Sequence, residues 1–384
     1  MDVQPFKIEV AEETLTDLQE RLAQTRWSDE IPRSDWDYGT NLSYLRELVD
    51  YWRTSFDWRA QEAAINRFSH FRANVDGLGI HFIHEQGKGP NPMPLILTHG
   101  WPGSFFEMSK ITPLLTDPAN HGGDAADAFH VVTPSMPGYG FSDAAREPGM
   151  HVLRVSDFWV KLMTEDLGYN RFGAQGGDWG ASVTANLGYS YPENLIGIHL
   201  TSMVRPTPYL GAGSTPLSDD EQAFMQQREE WTQAEGGYGH IQGTKPQTLS
   251  YGLNDSPAGL AAWLVEKYRT WSDCGGDVEK RFTKDELLTT ITIYWVTQSI
   301  NSSTRLYYET TRHPWDLKQG ERISVPSAMA VFPAEISHPP REWGERSYNV
   351  QRWTDMPSGG HFAALEEPER LAEDIRAFFR PLRD

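Results

Sequence analysis

The chain has 384 residues, 39% of them hydrophobic and 23% charged, a composition that excludes a disordered chain and allows a sizeable core. Its 34 Lys and Arg stand against 53 Asp and Glu, for a net charge of −19. So acidic a surface repels phosphate backbones and anionic leaflets, which argues against nucleic acid and membrane as partners. Cys274 is the one cysteine, so an intrachain disulfide and a cysteine-built zinc cluster are both excluded. The start, MDVQPFKIEV, has neither a basic n-region nor an apolar h-region. No apolar run approaches the roughly 18 residues of a membrane span. The expectation is a cytoplasmic protein without a membrane anchor.

Residues 1–75 read as helical. Leu15, Leu18 and Leu22 recur at helical spacing, as do Leu42, Leu45, Leu48, Val49 and Trp52. This stretch has the look of a wrapping segment, not a free-standing domain. The period then changes. Gly79 to His84 alternates like a strand, and Pro94 to Thr98, Phe129 to Pro134 and Leu195 to Leu200 are short apolar runs suited to buried strands. A helical stretch from Val155 to Leu167 lies between them. Strands alternating with helices over 76–210 predict an α/β fold with a mostly parallel sheet. Over 211–315 the strand signal stops, and Glu221 to Trp231, Pro257 to Tyr268 and Asp285 to Tyr308 read as helices of an inserted lid. The sheet resumes over 316–384 with Ile323 to Phe332 and a strand near Tyr348 to Trp353. An amphipathic helix, Pro368 to Phe379, closes the chain.

The stretch Gly176-Gly177-Asp178-Trp179-Gly180 has the G-x-Nu-x-G spacing of a nucleophile elbow, with Asp178 in the nucleophile's place. Alone, it would read sooner as an Asp capping a helix after a Gly turn, and the partner residues below reverse that order. As a nucleophile, a carboxylate attacking a saturated carbon makes an ester, which water can cleave; a serine would make an inert ether. Asp at an elbow therefore predicts ring opening or displacement at an sp³ carbon, then ester hydrolysis. Thr98-His99-Gly100-Trp101-Pro102-Gly103-Ser104 follows a predicted strand and can aim N–H groups at the elbow. The backbone N–H groups of Trp101 and Trp179 are assigned to the oxyanion hole. His99 reads as structural.

Ser358-Gly359-Gly360-His361-Phe362 places His361 between the last strand and the last helix, where the base of a nucleophile–acid–His order belongs. The acid belongs after the strand ending near Phe332, and Glu335 fits. Asp355 is its rival, while Glu366 and Glu367 read as helix N-terminal charges. His81 and His84 fall on opposite faces of a strand and predict no metal site. An alkoxide leaving a strained ring needs a proton, and a phenol suits that task. Tyr238 and Tyr307 lie in the lid, but spacing alone does not single them out from 15 tyrosines.

These motifs together carry a resemblance. With Gly100 to Glu107, His240 to Pro246, Leu253 to Ala261, Ile293 to Trp295, Phe332 to Glu335 and Gly359 to Pro368, the sequence resembles the microsomal-type epoxide hydrolases of the α/β-hydrolase superfamily, over nearly its whole length. The resemblance implies an α/β-hydrolase core with an N-terminal helical meander and a helical lid. It implies Asp178 as nucleophile, His361 as general base, Glu335 as orienting acid, Tyr238 and Tyr307 as donors to the ring oxygen, and Trp101 and Trp179 at the oxyanion site. No cofactor is implied, and the partner is a small-molecule epoxide. The chain is similar to the soluble microbial branch, some of whose members are dimers, so a homodimer stays open. Two other readings compete with epoxide hydrolysis: a haloalkane dehalogenase using the same Asp, and a catalytically silent ligand-binding relative.

Overall fold

The computed structural model describes residues 3–383. Nine strands form one sheet: β1 Gln4–Pro5, β2 His70–Val75, β3 Leu78–Glu85, β4 Met93–Thr98, β5 Phe129–Pro134, β6 Phe172–Gly176, β7 Leu195–Leu200, β8 Ile323–Val331 and β9 Tyr348–Asp355. The order across the sheet is β1-β2-β3-β5-β4-β6-β7-β8-β9. The β1, β2, β3 and β5 neighbours run antiparallel, and the pairs from β5 through β9 run parallel. The parallel strands alternate between two buried faces. Leu95 and Leu97 of β4 face one way, with Val131, Ala328 and Ala330; Ile96 faces the other, with Val132 and Ile198. That double burial is why these strands read as apolar runs.

The helices complete the layers. In the N-terminal segment lie α1 Glu12–Ala23, α2 Leu42–Thr54 and α3 Trp58–Ile65. The core carries α4 Ile111–Thr116, α5 Val152–Lys161 and α6 Asp178–Ser190. The insertion holds α7 Asp219–Glu235, α8 Gly237–Thr244, α9 Pro246–Leu253, α10 Pro257–Thr270, α11 Lys284–Thr297 and α12 Ile300–Arg312. Near the end come α13 Arg341–Ser347, α14 Ala363–Glu366 and α15 Pro368–Phe379. A bridge between Thr207 and Asp316 brings the two ends of the insertion together. Among the described residues, no helix is long and apolar enough to cross a membrane.

Two local features differ from the sequence expectation. The first 75 residues are not wholly helical: β1 and β2 extend the sheet as an antiparallel edge. The alternation in β2 is interrupted, with Phe71 and Arg72 both half-buried, which hides the period of two. The expected helix from Asp285 to Tyr308 is two helices, because Gln298 adopts a left-handed backbone (φ 51°) and ends α11. The N-terminal segment contacts the insertion at several points. Arg21 Nη1 lies 2.7 Å from Asp255 Oδ1, Thr40 Oγ1 donates to the Ala262 carbonyl at 2.7 Å, and Tyr51 donates to Asp285 at 3.0 Å. All three acceptors lie in the helical insertion. Trp52 is fully buried in the same core as lid residues Leu264 and Leu288.

Trp52→Ala is therefore expected to cost about 3–5 kcal/mol of stability by opening a large cavity. Its indole N–H has no hydrogen-bond partner, so Trp52→Phe should cost clearly less. Denaturant unfolding of both variants checks the order; equal losses would contradict it.

Candidate active site

The candidate site lies at the carboxyl ends of the parallel strands, where α/β sheets present loops to ligands. Strand β6 ends at Gly176, and α6 begins two residues later at Asp178. The turn forces Asp178 to φ 50°, a left-handed conformation costing on the order of 1–3 kcal/mol for an L-residue. Glycines make the turn possible. A Cβ on Gly176 would collide with the Gly180 carbonyl, and one on Gly100 with the Asp178 side chain. The Ser202 hydroxyl, just past β7, accepts the Asp178 N–H at 2.8 Å and holds the turn from the next strand.

The carboxylate of Asp178 is held by two backbone N–H groups. The N–H of Trp101, after β4, donates to Oδ1 at 2.8 Å, and the N–H of Trp179 also donates to the carboxylate. Oδ2 lies 3.7 Å from His361 Nε2. On the far edge of the ring, His361 Nδ1 stands 2.7 Å from Glu335 Oε1, which also accepts the N–H of Ile336 at 2.7 Å. The loops after β8 and β9 are joined by a bridge between Ala334 and Gly360, so acid and imidazole approach each other on paired backbones. Asp355, the rival acid, is exposed at the end of β9.

Two lid tyrosines complete the arrangement. Tyr238 opens α8 and stacks on Trp101 with ring centroids 5.5 Å apart, while Tyr307 of α12 meets Trp179 edge-on at 4.7 Å. The two phenol rings are 6.0 Å apart. Trp271, after α10, touches Tyr238 at 5.1 Å and His361 at 5.0 Å. The structure thus brings Asp178, His361, Glu335, Tyr238, Tyr307, Trp101 and Trp179 into one site. His99 lies beneath, accepting the Met136 N–H at 3.2 Å. His81 contacts His70 and Ser135, while His84 turns to Tyr169.

Burial pushes the Asp178 carboxyl up from the ordinary range, against the pull of His361 and the two N–H groups. Burial also acts to lower His361, but the charge and hydrogen bond of Glu335, then the charges of Asp178 and Glu107, outweigh it. His361 ends at about 9. Burial raises both lid phenols, keeping them protonated donors. Some neighbours carried no usable sequence signal: Ser202, Trp271, and Lys267, whose Nζ sits 4.8 Å from the centroid of Tyr238. Glu107 did stand in a quoted motif. Burial lifts its carboxyl to about 8, in the field of His361 and Asp178.

A family model described as "Epoxide hydrolase N terminus" matches residues 3–108, and one described as "alpha/beta hydrolase fold" matches 93–255. Epoxide hydrolase 1 of Sus scrofa is 40% identical, covering 98% of this chain and 88% of its own length. The crystal structure of juvenile hormone epoxide hydrolase from the silkworm Bombyx mori superposes with a TM-score of 0.88 at 30% identity, covering 100% of this chain and 95% of that one. The structure of Aspergillus niger epoxide hydrolase gives a TM-score of 0.87 at 30% identity, covering 100% and 97%.

Removing the Glu335 charge should lower the His361 titration midpoint from about 9, since that charge favours the imidazolium. Histidine side-chain NMR of Glu335→Gln checks this, using the resonance missing in His361→Asn for assignment. An unchanged midpoint would contradict the electrostatic account. The matches of sequence and fold over nearly all of this length leave one conclusion: the chain belongs to the epoxide hydrolase family of α/β-hydrolases.

Proposed function

We propose that the protein hydrolyses a small-molecule epoxide to a vicinal diol through a covalent ester on Asp178. One observation carries this reading: a carboxylate on a strained elbow, with Oδ1 held by the Trp101 N–H and Oδ2 beside an imidazole, in a site where two lid phenols pack on Trp101 and Trp179. The free oxygen of Asp178 attacks a ring carbon, and the carbon–oxygen bond of the ring breaks. Tyr238 or Tyr307 gives its proton to the departing oxygen, which becomes the first hydroxyl. His361 then takes a proton from water, and the resulting hydroxide adds to the Asp178 carboxyl carbon. The oxyanion that forms there is met by the N–H groups of Trp101 and Trp179. The ester carbon–oxygen bond breaks, and the diol oxygen leaves with the proton from His361. The carboxylic acid left on Asp178 returns its proton to the phenolate. Atoms and protons then balance to epoxide plus water.

The electrostatics supports this order. While Asp178 is charged, it helps hold His361 up near 9. Ester formation removes that charge, so the imidazolium releases its proton to solvent more readily. The ring is then neutral at the step that needs a base, and it regains that proton from solvent once Asp178 is a carboxylate again. Acidification must still protonate the base, so ester hydrolysis is expected to slow as pH falls. The dehalogenase and silent-binder readings do not hold against relatives named as epoxide hydrolases, and a phenol pair suits an oxygen leaving group. A cytoplasmic, homodimeric form belongs to the same proposal, by likeness to the soluble microbial branch.

A single turnover in heavy-oxygen water, with enzyme in excess over styrene oxide, is the test. The first diol should carry unlabelled oxygen from Asp178, and the label should appear in the Asp178 peptide by mass analysis. Label passing straight into the diol, with Asp178 light, would refute the covalent route. Tyr238→Phe and Tyr307→Phe are each expected to slow ester formation by about 10²-fold and to spare hydrolysis of an ester already formed. Rapid-quench measurement separates the two steps; slowing of hydrolysis alone would count against the tyrosines as donors.

A further inference from the structure

The loop bearing His361 is tied to the lid through backbone groups. Gly359 N–H donates to Asp273 Oδ2 at 3.0 Å. His361 N–H donates to the Trp271 carbonyl at 2.8 Å. Phe362 N–H donates to Glu366 Oε1 at 3.1 Å, and the other oxygen of that carboxylate accepts the N–H of Asp273 at 2.8 Å. Two of these three acceptors therefore belong to the lid segment between α10 and α11, and the third grips the same segment. Gly360 lies so close beneath it that a Cβ would sit 2.7 Å from the Trp271 oxygen and 3.0 Å from the Asp273 nitrogen.

One cation closes the assembly. Arg281 Nε donates to the Asp273 carbonyl at 2.7 Å, and its Nη2 lies 2.5 Å from Asp273 Oδ2, the oxygen that accepts Gly359. Its Nη1 reaches Glu367 Oε1 at 2.9 Å, where the Ser358 hydroxyl also donates at 2.7 Å. Arg281 thus bridges a lid carboxylate and a carboxylate at the foot of the His361 loop. Sequence alone suggested only helix N-terminal charges for Glu366 and Glu367; the structure gives both to this junction.

We propose that Asp273 and Arg281 are positioning residues for His361: acting through residues 358–362, they hold the imidazole in line with the Asp178 ester during hydrolysis. This assignment rests on the covalent reading above. Ester formation asks His361 for no proton transfer and tolerates a displaced ring. Hydrolysis needs Nε2, water and the ester carbon in line, and a displacement of about 1 Å can cost on the order of 10²-fold. Arg281 and Asp273 are partly exposed, with side chains 21% and 38% accessible. Exposed pairs contribute little to global stability, so their loss should reach the loop before it reaches the fold.

The experiment uses the full chain and styrene oxide, with rapid acid quench. Ester is read as the mass of the Asp178 peptide, and diol by chromatography. In Arg281→Met, ester should form at the wild-type rate and hydrolyse about 10- to 100-fold more slowly, so that it accumulates. Arg281→Lys, which keeps the charge, should recover part of the loss. Asp273→Asn breaks the ion pair but keeps an acceptor for Gly359, and should show the same split to a smaller degree. Parallel slowing of both steps, or a wild-type hydrolysis rate in all three variants, overturns the assignment. Diol without ester in the wild-type protein overturns the covalent reading itself, and that outcome is seen before any variant is made.

Discussion

Several buried carboxyl groups facing a single imidazole is the constraint on which the site depends. Asp178 and Glu335 flank His361 directly, and Glu107 and Glu366 act on it through their fields. Repulsion among such groups is severe where water is excluded. The protein answers each one separately. Asp178 has two backbone N–H donors, Trp101 after β4 and Trp179 at the start of α6. Glu335 has the imidazole and the N–H of Ile336. Burial lifts Glu107 to about 8 and Glu366 to about 7, near neutrality. The imidazole is left as the movable charge, and its protonation follows whether Asp178 is a free carboxylate or an ester.

The fold supplies these compensations because parallel strands end on one side. Trp101 follows β4, Asp178 follows β6, Ser202 follows β7, Glu335 follows β8 and His361 follows β9. Each loop is short, so each group is fixed by the strand before it. The phenols cannot come from that edge without crowding it. They come from α8 and α12 in the insertion, packed over Trp101 and Trp179. One tryptophan of each pair thus does two jobs: its N–H serves the carboxylate and its ring seats a tyrosine.

Sequence was most informative where a residue has few alternatives. Glycine at 176 and 180 is demanded by the turn, and the apolar runs of β4, β5 and β7 by burial on both faces, so the elbow and the central sheet were legible. The choice of Glu335 over Asp355 was legible from chain order. The tyrosines were not: Tyr238 and Tyr307 owe their place to the packing of an insertion, and only family likeness picked them out. Ser202, Trp271 and Lys267 were out of reach for the same reason, since their roles lie in neighbours distant along the chain. The edge strand β2 escaped because its half-exposed residues blur the alternation.

That dependence on packing bears on how the lid behaves. Its segment after α10 carries the acceptor for the His361 N–H and the ring that meets Tyr238 at a tilt. Tyr268 of α10 lies flat on Phe362, centroids 4.0 Å apart. From the other side, the N-terminal segment grips the lid through Arg21, Thr40 and Tyr51. A lid lifting as a rigid flap would break the backbone seat of the His361 loop together with the ring contacts of Tyr238 and Tyr307. The His361 loop and the two phenols are therefore held by one body. An uncharged epoxide gains nothing from the net charge of −19, and the walls around the candidate site are the rings of Trp101, Trp179, Tyr238, Trp271 and Tyr307. Loosening those walls to admit a larger substrate would loosen the alignment of Asp178 and His361 as well.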